Sequence, residues 1–176
     1  RLNISLDSRD PERFRAITRR GDLDQVLGGI AAAKRAGIAV KINMVALKSV
    51  NEDEIGDMLA WCGSEGFDLT LIETMPLGLV EDERVDRYLP LDTVKRALEE
   101  RFTLTPSLHR TGGPSRYCDV TETGGRVGFI TPLSDNFCAG CNRIRITATG
   151  TIFGCLGHDQ KVELRDLLRC GGRDAV

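Results

Sequence analysis

The first hundred residues switch repeatedly between a two-residue and a 3.6-residue apolar period, and that alternation limits the chain to a small set of folds. LNISLD (2–7), VKINMVAL (40–47) and DLTLIETMPLG (68–78) alternate like strands, and amphipathic helical patterns fill the intervals. This is the βαβ rhythm of a largely parallel sheet. The first clear helix is expected from Asp22 as N-cap, through Leu23, Val26, Leu27 and Ile30 on one face, to Gly37 as its C-terminal cap. Asn51 and Glu54 resemble a capping box for the next, with Ile55, Met58, Leu59 and Cys62 as its buried stripe and Gly66 at its end. A third helix begins near Asp92, with Val94, Leu98 and Phe102 turned inward. After Phe102 the chain changes to short strands separated by Gly and Pro turns, which predicts an antiparallel extension over 106–176 following a β/α part over 1–105.

Strand polarity says more than strand existence. Side chains alternate across a strand, so Leu2, Ile4 and Leu6 oppose Asn3, Ser5 and Asp7, and Val40, Ile42 and Met44 oppose Lys41 and Asn43. In LIETM, Glu73 and Met75 oppose Ile72 and Thr74. A buried parallel strand should be apolar on both faces. If the apolar faces pack under helices, the polar ones are expected to line a common cavity, where Lys41 needs an anionic partner because an unpaired buried ammonium is costly. The alternative is an exposed edge strand.

Cys138, Cys141 and Cys155 form a C-x2-C-x13-C pattern, with Arg143 and Arg145 between the second and third thiol. Paired thiolates followed by a hairpin suit a metal or an iron–sulfur cluster, and the arginine fork suits phosphate oxygens. His158 extends the pattern to a Cys3His set, and on spacing alone a structural zinc site is the stronger reading. A disulfide framework does not fit a 176-residue chain that is 41% hydrophobic and carries no secretory signal. Within the hairpin Cys141, Arg143 and Arg145 should share one face while Ile144 and Ile146 pack on the other. Cys62, Cys118 and Cys170 stand apart and are expected to be buried as small hydrophobes.

Composition excludes more than it identifies. With 24 basic and 26 acidic residues and a net charge of −2, the chain lacks the footprint of a nucleic-acid binder, so any anion site must be local. No apolar run approaches a membrane span, and the chain reads as soluble and cytoplasmic. It opens at Arg1 inside a strand-like run, which suggests a piece of something longer.

The run GGPSRYCDV…GGRVGFITPLSDNFCAGCNRIRITATGTIFGCL resembles the C-terminal region of the GTP 3′,8-cyclase family of molybdenum-cofactor biosynthesis, radical S-adenosylmethionine enzymes, and the likeness extends back through IETMPLG and VKINMV to NISLDS. The resemblance implies the second half of an incomplete (β/α)6 TIM-type barrel, then an antiparallel β extension carrying an iron–sulfur site. It implies that Cys138, Cys141 and Cys155 hold an auxiliary [4Fe–4S] cluster with an iron left open to the guanine base, which makes His158 incidental. It further implies that Lys41, Arg143 and Arg145 bind GTP and that Ser5 and Met75 line the S-adenosylmethionine pocket. A C-x3-C-x2-C loop, the family's S-adenosylmethionine-cleaving cluster site, has no counterpart among the six cysteines. That second [4Fe–4S] cluster is therefore expected in a missing N-terminal half, leaving no catalytic residue in this segment. Gly171 and Gly172 read as a helix cap rather than the family's Gly-Gly tail. The implied reaction starts with a 5′-deoxyadenosyl radical that takes the ribose 3′-hydrogen of GTP. The product, 3′,8-cyclo-7,8-dihydro-GTP, passes to cyclic pyranopterin monophosphate synthase, and a homodimer is left open for the full-length form. The rivals are the zinc module and a peptide-modifying radical enzyme with an auxiliary cluster.

Overall fold

The computed structural model describes residues 1–75, 87–134, 143–155 and 160–171. The chain divides into two compact units, Arg1–Pro76 with Val80–Ala139 and Leu77–Leu79 with Gly140–Val176.

The first unit is built on the β/α alternation. Strands β1 (Leu2–Ser5), β2 (Val40–Ala46) and β3 (Asp68–Glu73) are joined through helices α1 (Pro11–Thr18), α2 (Leu23–Arg35) and α3 (Ile55–Glu65). Helix α4 (Leu91–Glu99) precedes β4 (Leu104–Pro106), β5 (Arg116–Val120) and β6 (Arg126–Ile130). The sheet order is β1-β2-β3-β6-β5-β4. β1, β2, β3 and β6 run parallel, whereas β5 and β4 are added antiparallel. The strands beyond residue 105 thus form an antiparallel meander whose last member lies parallel beside β3. Leu6, Ile42, Met44, Leu69, Leu71 and Val127 are fully buried and form the centre of the core with Ile55, Met58, Leu59, Val94 and Leu98 from the helices. Each such side chain contributes about 1.5–3 kcal/mol relative to exposure.

Local signals explain most helix ends. Asp22 caps α2 by accepting the Gln25 N–H, and Gly66 closes α3 in the left-handed region at φ +75°, where a β-carbon would be strained. Helix α1 is additional to the three expected helices; its Asp10 cap accepts from Arg13 N, and Pro11 stands at its first position, where a missing N–H costs nothing. The expected capping box is corrected. Asn51 is fully buried and caps no helix: its side chain accepts from Leu47 N and donates to the carbonyls of Asp7 and Val45, tying together the chain after β1 and the end of β2. Glu54 instead accepts from Ser8 Oγ and Arg9 N.

The second unit contains an antiparallel sheet of β7 (Arg145–Ile146), β8 (Thr151–Phe153) and β9 (Lys161–Glu163), followed by α5 (Leu164–Gly171). Its register puts Arg145, Phe153 and Lys161 on one face and Ile146, Ile152 and Val162 on the other. Ile144 and Ile146 are each 61% exposed, so the expectation that they pack away from solvent is corrected. So is that for Cys170, which is exposed on α5, although Cys62 and Cys118 are buried as expected.

Candidate functional site

The polar face of the first unit's sheet is a built surface. Parallel register sets Ser5 beside Asn43, Asn43 beside Thr70, and Thr70 beside Gly128, while antiparallel pairing sets Gly128 beside Tyr117. One residue row lower, Lys41 lies between Asn3 and Asp68. Lys41 is only 7% exposed, and its ammonium donates to the Tyr117 hydroxyl at 3.4 Å. Among the described residues no carboxylate pairs with Lys41: Asp68, its neighbour on β3, accepts Nε and an Nη of Arg126 at 3.0 and 3.2 Å. Arg13, by contrast, forms its pairs with Asp53 and Glu54 in the short 3-10 helix Glu52–Glu54 before α3.

Gly128 makes this arrangement possible. A β-carbon there would collide with Ser115 Oγ and the Tyr117 ring, so the glycine lets the aromatic side chain lie across the sheet toward β2. The ring is fixed further by His109, which meets it edge-on at 4.9 Å. Burial pushes the Tyr117 phenol upward, but the nearby Thr111 and Ser115 hydroxyls and the charge of Lys41 outweigh it and hold the phenol below the ordinary tyrosine range. On the same face, Asn43 Oδ1, Thr70 Oγ1 and Ser115 Oγ are buried without a hydrogen-bond partner among the described residues. Unmet buried polar atoms cost about 1–3 kcal/mol each, so such a cluster on one face has the composition of a ligand surface.

Ser5 and Lys41 therefore share a face, as their parity implies. Met75 is half-buried two residues beyond β3. Glu73 does not share that face. It has the parity of Leu69 and Leu71, is 1% exposed, and accepts from Leu91 N at the start of α4 and from Leu133 N and Ser134 N at 3.0, 3.1 and 3.2 Å, with Ser134 Oγ as a fourth donor. It ties β3, α4 and the segment leading toward Cys138. Asp7 supports the opposite edge by accepting Val45 N at 2.8 Å, and burial raises its pKa against the lowering effect of that bond.

In the second unit Arg143, Arg145 and Cys155 are described and exposed; Cys138, Cys141 and His158 lie outside the described residues. Arg145 pairs with Phe153, the outermost pair of β7 and β8. The Arg143 and Cys155 positions both lie two residues beyond the paired ends of β7 and β8, on the open side of one hairpin. Among the described residues no group of three or more His, Cys, Asp and Glu is placed to hold a metal, two of the three expected thiols being outside them. An exposed thiol at a strand end beside a cationic strand is compatible with a thiolate ligand set whose net negative charge the arginines would offset.

Comparison with known proteins places these features. Residues 67–176 match the family model for molybdenum cofactor synthesis C, and residues 1–62 match the radical SAM superfamily. The chain belongs to the molybdenum cofactor synthesis C family. Proteins named GTP 3′,8-cyclase from Erythrobacter litoralis, Rhodopseudomonas palustris and Paracoccus denitrificans are 58%, 56% and 56% identical to it over 99–100% of its length. The chain spans about half the length of these relatives, 51–53% of each. Asn43 stands on the polar face its parity predicts, whereas Tyr117, Thr70 and Ser115 are site residues that the sequence alone did not single out. The glycine inside the strand-like RVGFI was the sequence signal for close approach of another side chain.

Proposed function

We propose that this chain is the nucleotide-binding and auxiliary-cluster part of a GTP 3′,8-cyclase acting in molybdenum-cofactor biosynthesis. The observation that carries the reading is Lys41, a buried ammonium held by a hydroxyl rather than a carboxylate, on a sheet face rich in unmet polar atoms. Such a cation keeps its charge for an anionic ligand. In this proposal Lys41 meets the triphosphate of GTP, Ser5 and Met75 line the S-adenosylmethionine pocket, and the parallel strands are the second part of an incomplete (β/α)6 barrel. Cys138, Cys141 and Cys155 hold a [4Fe–4S] cluster, and Arg143 and Arg145 contact GTP beside it. When bound, the family's S-adenosylmethionine cluster supplies the electron that makes S-adenosylmethionine a source of the hydrogen-abstracting radical. A segment outside this sequence carries that cluster, because no C-x3-C-x2-C spacing occurs here. The residues of this chain bind and orient: the cations neutralise the phosphates, and the fixed sheet face limits which ribose hydrogen meets the radical. Among the described residues no helix is long and apolar enough to cross a membrane; a cytoplasmic location and release of product to cyclic pyranopterin monophosphate synthase belong to the same proposal.

Anaerobic reconstitution followed by iron, sulfide and zinc analysis tests the metal reading. About four irons per cluster site are expected, lost in Cys155→Ala and retained in His158→Ala. Zinc at one equivalent without iron, or metal loss in His158→Ala, would favour a structural Cys3His site. For GTP, Arg143→Ala and Arg145→Ala should each weaken binding about ten- to a hundredfold, the worth of a hydrogen bond to a charged group. Unchanged affinity in the double variant would make both arginines a solvated strand face.

A further inference from the structure

We propose that Tyr117 is a positioning residue that presents Lys41 to the anionic ligand, an inference that rests on the reading of Lys41 as a GTP contact. A lysine carries a flexible four-carbon stem, and three arrangements on the page restrict this one. The first is reach. β5 lies three strand spacings from β2, about 14 Å, so Tyr117 and Lys41 can meet only by extending toward each other over β3 and β6. Gly128 clears the path on β6. The second is rigidity: Tyr117 is 3% exposed, and His109 abuts its ring edge-on at 4.9 Å. The third is charge. Asp68 is the neighbour that would otherwise quench the ammonium, yet Arg126 occupies both of its oxygens. A neutral phenol fixes one N–H of Lys41 and leaves two donors and the full positive charge for phosphate. A carboxylate in the same place would fix the lysine and neutralise it.

A double-mutant cycle on the full-length protein with its clusters assembled separates this role from a structural one. Lys41→Met should weaken GTP binding about ten- to a hundredfold, as expected for a hydrogen bond to a charged group. Tyr117→Phe keeps the ring and removes the hydroxyl; it should weaken GTP about three- to tenfold while S-adenosylmethionine affinity stays parental. In the Lys41→Met background Tyr117→Phe should add nothing. Thr111→Val, which removes one hydroxyl near the phenol, should act in the same direction and more weakly, and it carries the test if Tyr117→Phe folds poorly. An unchanged GTP affinity in both Tyr117→Phe and Thr111→Val overturns the inference. Equal losses with and without Lys41, or parallel losses of GTP and S-adenosylmethionine, overturn it too. If Lys41→Met alone leaves GTP affinity unchanged, the nucleotide reading of Lys41 fails first; if Lys41→Met is weak and Tyr117→Phe is inert, only the positioning role is lost.

Discussion

Replacing Glu73 with glutamine tests whether a buried carboxylate organises the ground beneath the site. Oε1 accepts from Leu91 N and Ser134 Oγ, and Oε2 from Leu133 N and Ser134 N. Glutamine can keep only one of those oxygens. Its better orientation leaves the oxygen to Leu133 and Ser134 and turns the amide toward Ser134 Oγ, which can rotate to accept, and toward Leu91 N, which cannot. One buried backbone donor is then orphaned, at about 1–3 kcal/mol, and the surviving bonds lose their charge assistance, about 1 kcal/mol each. The neutral amide is cheaper to desolvate than a carboxylate, which offsets part of this loss and leaves a net destabilisation of about 2–3 kcal/mol. Glu73→Ala orphans all four donors and should cost about 4–5 kcal/mol. Denaturant unfolding of the full-length protein measures the total, and amide exchange locates it: Leu91, Leu133 and Ser134 should exchange faster while Cys118 and Val127 keep their protection. A loss below about 1 kcal/mol in Glu73→Gln, or unchanged exchange at those three amides, would refute the assignment of a clamp.

Gly128→Ala should destabilise the first unit by about 1–3 kcal/mol and weaken GTP binding as Tyr117→Phe does, since its β-carbon displaces the Tyr117 ring; denaturation and titration on the same sample check both. Arg126→Met should lower GTP affinity although Arg126 contacts no ligand in this scheme, because it frees Asp68 to pair with Lys41; unchanged affinity would show that Asp68 cannot reach. The Cys62 thiol, pushed up to about 12 by burial, should resist thiol reagents at pH 8 in folded protein while Cys170 reacts, which mass spectrometry of labelled peptides resolves. Asp7 has a raised folded pKa, so its folded form binds protons more tightly than its unfolded form. Its penalty is full above the folded value and fades as pH falls toward the unfolded one, which offsets part of the general loss of stability in acid, so Asp7→Asn should stabilise the protein near neutral pH and steepen the acid limb of the stability profile; an unchanged or flatter limb would contradict that sign.

The βα part of the fold was largely legible because its helices are amphipathic and its strands short and alternating. Helix α1 escaped because PERFRAIT carries four charged or proline-restricted positions in eight and only Phe14 is buried. Its terminus was nevertheless written in Asp10-Pro11. The capping-box reading failed for a reason that local sequence cannot supply: Asn51 serves carbonyls of Asp7 and Val45, and the first of these is 44 residues away. Strand order was equally out of reach. Nothing in RVGFI says that it lies parallel beside β3 while its hairpin partner β5 turns antiparallel, yet this placement brings Tyr117 over the polar face.

The site divides along the same line. Parity alone put Ser5 and Lys41 on one face, because alternation is fixed within a strand. Parity counted back from Glu73 misled, since the acid belongs to the apolar Leu69 and Leu71 side of β3 while Asp68 and Thr70 carry its polar face. An acid on a buried face can be justified only by its donors, and those come from 18 and 60 residues downstream. The partner of Lys41 follows the same logic at longer range. A buried lysine read by itself demands an anion from the protein, and Asp68 stands next to it, as the simple electrostatic expectation requires. The fold assigns that anion to Arg126 and gives Lys41 a hydroxyl from a residue 76 positions away. A protein that needed only to stabilise Lys41 would have left Asp68 to it. Diverting the carboxylate spends stability to keep a buried cation unneutralised on a polar face, and that trade is physically sensible only where an anion arrives from outside the chain.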